Sequence, residues 1–78
     1  MKEQAIFYHA GCPVCVAAKQ QVAEAIDSAR FDVEIVHLRE SESRIGEAES
    51  VGVTSVPALV IGVQPFHINF GVAIADLK

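Results

Sequence analysis

Cys12-Pro13-Val14-Cys15 holds the only two cysteines of the chain. Two thiols three residues apart, where a strand gives way to a helix, have the parts for dithiol–disulfide exchange. In that chemistry one thiolate attacks a foreign disulfide, and the second thiol resolves the mixed disulfide that forms. Position assigns the roles. Pro13 suits a first helical turn, where its missing N–H would have had no partner. Cys12 then sits just before the helix, facing unpaired backbone N–H groups and the positive end of the helix dipole. That setting favours the thiolate, which is the nucleophile. Cys15 lies nearly one turn further on, facing inward, and is expected to resolve. Pro13 and Val14 set the leaving tendency of the pair without adding charge. A mere structural staple would gain little from so short a loop.

These sulfurs need a frame, and the flanking patterns supply one. Ala5-Ile6-Phe7-Tyr8 is short, apolar and aromatic, and predicts a buried strand over 4–8. Cys15, Ala18, Val22, Ile26 and Ala29 recur at helical spacing and predict a helix over 13–29. Residues 32–38, rich in Val and Ile, read as a second strand, so the first three elements form a βαβ unit with parallel strands. A short helix is expected over 42–51. Ser41 or Ser43 would cap it, Gly52 would stop it, and Ile45, Ala48 and Val51 make a thin apolar stripe. Strands over 58–61 and 66–69 would form a hairpin, with Gly62 and Pro65 flanking its turn. A last helix is expected over 72–77. The order is βαβ, helix, ββα.

Size and composition narrow the classes. A chain of 78 residues, about half of them apolar, is expected to be one domain over 1–78, near the lower size limit for independent folding. No apolar run reaches the roughly 20 residues of a membrane helix. Met1-Lys2-Glu3-Gln4 leads straight into a strand without an apolar export signal, so a cytoplasmic location is expected, where disulfides are transient and catalytic. The net charge is −4, with no basic run and no basic–aromatic interleaving, which argues against nucleic acid as a partner. No membrane partner is expected either.

The second informative segment is Thr54-Ser55-Val56-Pro57, where Pro57 opens an apolar strand. A CxxC at the start of the first helix, with Val56-Pro57 leading into the third strand, resembles the thioredoxin/glutaredoxin superfamily. The resemblance spans nearly the whole chain. It implies an α/β fold: a thioredoxin-like three-layer α/β/α sandwich around a four-stranded mixed sheet, with helices one and three on one face and helix two on the other. It implies that Pro57 is cis and lies against the sulfurs, and that the backbone of Val56 pairs with substrate like an added strand. The chain is similar to minimal glutaredoxins rather than full thioredoxins, because Gly11-Cys12-Pro13-x-Cys15 follows their pattern and Ala10-Gly11 stands where thioredoxins carry Trp. Val14 replaces the usual aromatic. Substrate contacts are expected at Gly11, Pro13, Val14, Val56, Pro57 and Gly71, with catalysis at Cys12 and Cys15.

The resemblance implies disulfide reduction of a protein substrate, with thioredoxin reductase or glutathione as electron donor and no bound cofactor. Weak glutathione binding is expected, since Asn69-Phe70-Gly71 supplies one glycine where glutaredoxins carry a pair, and His9 replaces a common basic residue. His9 has two readings. It is a strand-end side chain in solvent, or it assists the Cys12 thiolate as a cation or hydrogen-bond donor. His9, Cys12 and Cys15 are ligand types for zinc, but a structural site needs a fourth ligand, and neither His37 nor His67 is spaced to complete it. No metal is expected. Lys19 and the acidic residues Glu40, Glu42, Glu47 and Glu49 read as solvated surface, the latter able to steer a basic partner. The apolar segment Phe66–Leu77 suggests a weak homodimer. The alternative from another class is a non-catalytic redox sensor or interaction module.

Overall fold

The computed structural model describes residues 3–26 and 29–77, except the side chains of Asn69 and Phe70. Strand β1 (Glu3–His9) leads into helix α1 (Pro13–Ala25), and strand β2 (Phe31–His37) follows. A 3-10 turn (Glu42–Arg44) runs into helix α2 (Ile45–Ser50). Strands β3 (Ser55–Ile61) and β4 (Gln64–Ala73) come next, and a second 3-10 turn (Ile74–Leu77) closes the order. The sheet order is β2-β1-β3-β4. β1 runs parallel to β2, while β3 is antiparallel to both β1 and β4.

β1 is central because its sequence is apolar toward both faces. Phe7 and Tyr8 are consecutive, point to opposite sides of the pleat, and are both buried. Phe7 faces α1, beside Val22, Ala23 and Ile26. The Tyr8 hydroxyl reaches the other face and donates to Glu47 of α2. The two helices therefore cover opposite sides, and the layers are helix, sheet, helix. Burying Phe7 alone contributes roughly 1.5–3 kcal/mol. Arg44 extends the Tyr8 contact outward, donating to Glu34 of β2 at 2.7 Å and to Glu47 at 2.8 Å. Arg44 first and Tyr8 second hold the Glu47 carboxyl below its ordinary range.

Several elements differ in extent from their sequence signatures. α1 ends at Ala25, and Ile26 is already extended at φ −81°, ψ 139°. β2 begins at Phe31 opposite Glu3, so a helix continuing through Ala29 would leave one residue to reverse the chain. Ser41 makes no capping hydrogen bond, and the segment starts as a 3-10 turn. Ile45 and Ala48 are buried as the stripe predicts. Gly52, at φ +94°, ends α2. Its N–H donates to the Glu49 carbonyl and the next N–H to Ala48, the paired bonds of a Schellman stop.

The largest difference is at the C-terminal end. Val72 and Ala73 are not helical. They extend β4 and pair with Val56 and Ser55. Between Ala58↔His67 and Val56↔Val72, β4 advances five residues while β3 advances two. The three extra residues of β4 bulge opposite Pro57, which has no N–H to offer the ladder. What remains is the single 3-10 turn, and its Ile74 is buried in the core that also holds Ile45 and Ala48. This last turn contacts α2, so it lies on the α2 side and not beside α1.

Candidate active site

The site is built from the turn that joins β1 to α1. Ala10 is buried, and Gly11 reverses the chain at φ +77°, where a Cβ is strained. A Cβ at Gly11 would also lie 2.6 Å from Nε2 of His37. Glycine is thus required twice over. Cys12 follows as the N-cap of α1, with Pro13 in the first turn. Its sulfur accepts the backbone N–H of Cys15 at 3.2 Å, the role a Ser or Asp oxygen usually takes.

The two Sγ atoms lie 2.7 Å apart as free thiols. Disulfide formation needs a sub-ångström approach from there. Cys12 is half-buried, whereas Cys15 is sealed in the core. Burial pushes the Cys15 thiol up, and the adjoining Cys12 sulfur pushes the same way. The pair is therefore asymmetric: one sulfur meets solvent and the other is a protonated thiol behind it.

Distant segments complete the enclosure. The Val56–Pro57 bond is cis, as the resemblance implies, and both side chains are buried. Gly71, in the last stretch of β4, packs directly on the sulfurs. A Cβ there would lie 2.5 Å from Cys12 Sγ, 3.0 Å from the Val56 carbonyl oxygen and 3.3 Å from Cys15 Sγ. Val56 and Gly71 thus converge on the thiols. β1 pairs with β3 no further than Ala58, so among the described strands none covers the β1 side of Val56. On the opposite flank Pro13 and Val14 line a groove of about 310 Å³ with Ala17, Gln21 and Ile68. Gly11, expected as a substrate contact, is packed on its inner side against His37.

His9 is neither in solvent nor placed as a cation. It is 5% exposed, and its Nδ1 accepts the Gly11 N–H at 3.1 Å. Phe7 stacks on its ring at a centroid distance of 5.7 Å. Burial holds its pKa below the ordinary histidine value. His37 and Lys19 act the same way, against an opposing Glu40. His37 is the residue that sequence reasoning missed. The parallel register sets it opposite His9, with ring centroids 4.7 Å apart. A signal was present, since each histidine is the last residue of a strand in one βαβ unit. His67 is elsewhere and accepts the Thr54 N–H. Among the described residues, no three His, Cys, Asp or Glu side chains cluster as metal ligands. The acidic surface is partly committed, because Glu47 serves Arg44 and Tyr8.

A family model, the thioredoxin domain, matches residues 2–67. Among solved structures, the solution NMR structure of a dimeric thioredoxin-like protein from Nitrosomonas europea is 63% identical. It covers 100% of this chain and 98% of its own, at a TM-score of 0.92. No curated protein matches the sequence.

Proposed function

The chain belongs to the thioredoxin-domain family, and from that premise we propose that it is a thiol–disulfide oxidoreductase that reduces protein disulfides through Cys12 and Cys15. The observation that carries this reading is the asymmetric pair: two free sulfurs 2.7 Å apart at a helix N-terminus, one accessible and one sealed. Cys12, as thiolate, attacks one sulfur of a substrate disulfide. A Cys12–substrate S–S bond forms, the substrate S–S bond breaks, and the first substrate thiolate leaves and takes up a proton. Cys15 then gives up its proton and attacks the Cys12 sulfur. The second substrate thiol is released and the Cys12–Cys15 disulfide remains. Two electrons have passed to the substrate. A donor, thioredoxin reductase or a pair of glutathione thiols, returns two electrons and two protons.

The open side of Val56 and the groove beside Pro13 and Val14 suit an extended substrate segment, with Gly71 packed against the sulfurs and Pro57 following Val56 through the cis bond. The protein works in this reading as one domain in the cytoplasm, where its disulfide is transient. No helix among the described residues is long and apolar enough to cross a membrane. Reduction of insulin disulfides, run with NADPH and thioredoxin reductase and again with glutathione and its reductase, tests the function and identifies the donor. No turnover with either donor would leave the sensor or interaction module as the better reading.

The reading includes a weak homodimer through the 66–77 segment, as the 63%-identical relative is dimeric. β4 is an edge strand of ten residues without one formal charge, and it exposes Phe66 at 50% and Ile68 at 37%. The other edge, β2, carries Asp32 and Glu34. Unpaired edges without charge are those that recruit another strand. Ile74 is committed to the core, so β4 supplies the contact rather than the closing turn.

A further inference from the structure

We propose that His9 is a positioning residue for Cys12, holding through Nδ1 the Gly11 N–H and with it the turn that seats the Cys12 sulfur on the N-terminus of α1. A backbone N–H can only donate, so the 3.1 Å contact requires a lone pair on Nδ1 and leaves the ring proton on Nε2. An imidazolium has no such lone pair, and protonation therefore opens the clamp. What it holds is sensitive. Gly11 is left-handed and immediately precedes the capping sulfur, so a change at Gly11 is passed directly to Cys12.

The clamp is supported from every side. Phe7 of β1 stacks on the His9 ring. The Leu38 N–H donates to the His9 carbonyl at 2.8 Å, and Arg39 Nε to the Ala10 carbonyl at 3.1 Å. The His37 ring backs both His9 and Gly11. His37 Nδ1 is buried without a hydrogen-bond partner, and its Nε2 lies 3.9 Å from a Glu40 carboxylate oxygen. The titratable and charged groups facing His9 are thus His37 on β2, Lys19 on α1 and Glu40 after β2, with Arg39 on the neighbouring carbonyl. Burial, His37 and Lys19 all oppose a charge on His9, and Glu40 alone favours it.

The sign follows. His9 titrates lower in the folded chain than in the unfolded one. Above the unfolded value of about 6.5 both states are neutral, and the clamp contributes fully. Below it the unfolded chain takes the proton first, so the contribution falls as pH drops through the folded value. The use of the clamp rests on Cys12 being the reacting thiol, but its existence does not.

The test is a pH titration of the full reduced chain by NMR, with Cys12 alkylation by iodoacetamide measured in parallel. In the wild type, the Gly11 amide shift should move at the midpoint of the His9 ring, and the alkylation profile should carry the same inflection. His9→Asn offers an acceptor oxygen and cannot titrate. It should keep the neutral-pH rate within about two-fold and lose the inflection. His9→Phe fills the space but cannot accept. It should change the neutral-pH rate by roughly five-fold, the equivalent of one net hydrogen bond of about 1 kcal/mol. If His9→Phe does not fold, the wild-type titration decides alone. A Gly11 amide that ignores the His9 titration, or a His9→Phe protein with the wild-type rate and profile, overturns the proposal. Should insulin reduction fail while Gly11 still follows His9, the clamp stands and the reductase reading falls.

Discussion

Replacing Gly71 with alanine adds one methyl group at the place where the structure has least room. The new Cβ would lie 2.5 Å from Cys12 Sγ, 3.0 Å from the Val56 carbonyl and 3.3 Å from Cys15 Sγ. Ordinary carbon contacts are about 3.5–4.0 Å, so the overlap with Cys12 is about 1–1.5 Å. Two of the three neighbours cannot yield cheaply. Val56 contributes backbone in a paired strand, and Cys15 is sealed in the core. Overpacking of this kind costs about 1–3 kcal/mol. For a domain of this size each kcal/mol lowers Tm by roughly 4–8 °C, so a loss of about 4–24 °C is expected. The sulfurs should also separate, which slows Cys12–Cys15 disulfide formation by a glutathione couple. Gly46→Ala is the control: a Cβ there meets nothing within 4 Å. In the exposed first turn of α2 it should be neutral or raise stability by up to about 1 kcal/mol. Thermal unfolding by circular dichroism and a disulfide-formation rate measure the effects. A Gly71→Ala protein with wild-type Tm and wild-type closure rate would show that Gly71 does not roof the thiols.

Three further outcomes follow from the same geometry. At limiting iodoacetamide near neutral pH, Cys12 should label before the sealed, protonated Cys15. Cys12→Ser should abolish insulin reduction, whereas Cys15→Ser should accumulate a mixed disulfide visible by mass spectrometry; faster labelling of Cys15 would reverse the roles. Tyr8→Phe removes the donor to Glu47 and should lower stability by about 1 kcal/mol in urea unfolding. Arg44 first and Tyr8 second depress the Glu47 carboxyl, so its contribution is present above the ordinary carboxylate range and lost as pH falls through the depressed value. Tyr8→Phe should therefore also flatten the acid limb of the stability profile, and an unchanged limb counts against the link. Ile68→Lys places a charge on the β4 edge and should shift a dimer to monomer in sedimentation equilibrium. A wild type that stays monomeric at high micromolar concentration excludes the dimer outright.

Much of this molecule is determined by signals that act over a few residues. Apolar residues on both faces of Phe7-Tyr8 require a central strand. Pro13 after Cys12 places the first thiol at a helix start, and the spacing to Cys15 turns the second inward. Gly52 stops α2 because its left-handed backbone suits glycine. Each follows from local geometry: the period of a helix, the alternation of a strand, and the backbone freedom of one residue. Pairing between distant segments decided the rest. The apolar run Val72–Leu77 suits a helix or a strand equally well. Its first two residues, Val72 and Ala73, became strand because β3 offered Val56 and Ser55 as partners on the far side of a bulge, and only a 3-10 turn, Ile74–Leu77, remained. That bulge brings Gly71 onto the sulfurs. Within its own strand His9 has only the Phe7 ring beside it. The parallel register of β1 and β2 supplies His37, 28 positions later, and turns a strand-end histidine into a buried support for Gly11. Each histidine closes a strand of the βαβ unit, but that spacing alone does not fix the contact, because a one-residue slip in register moves every side chain to the other face of the sheet.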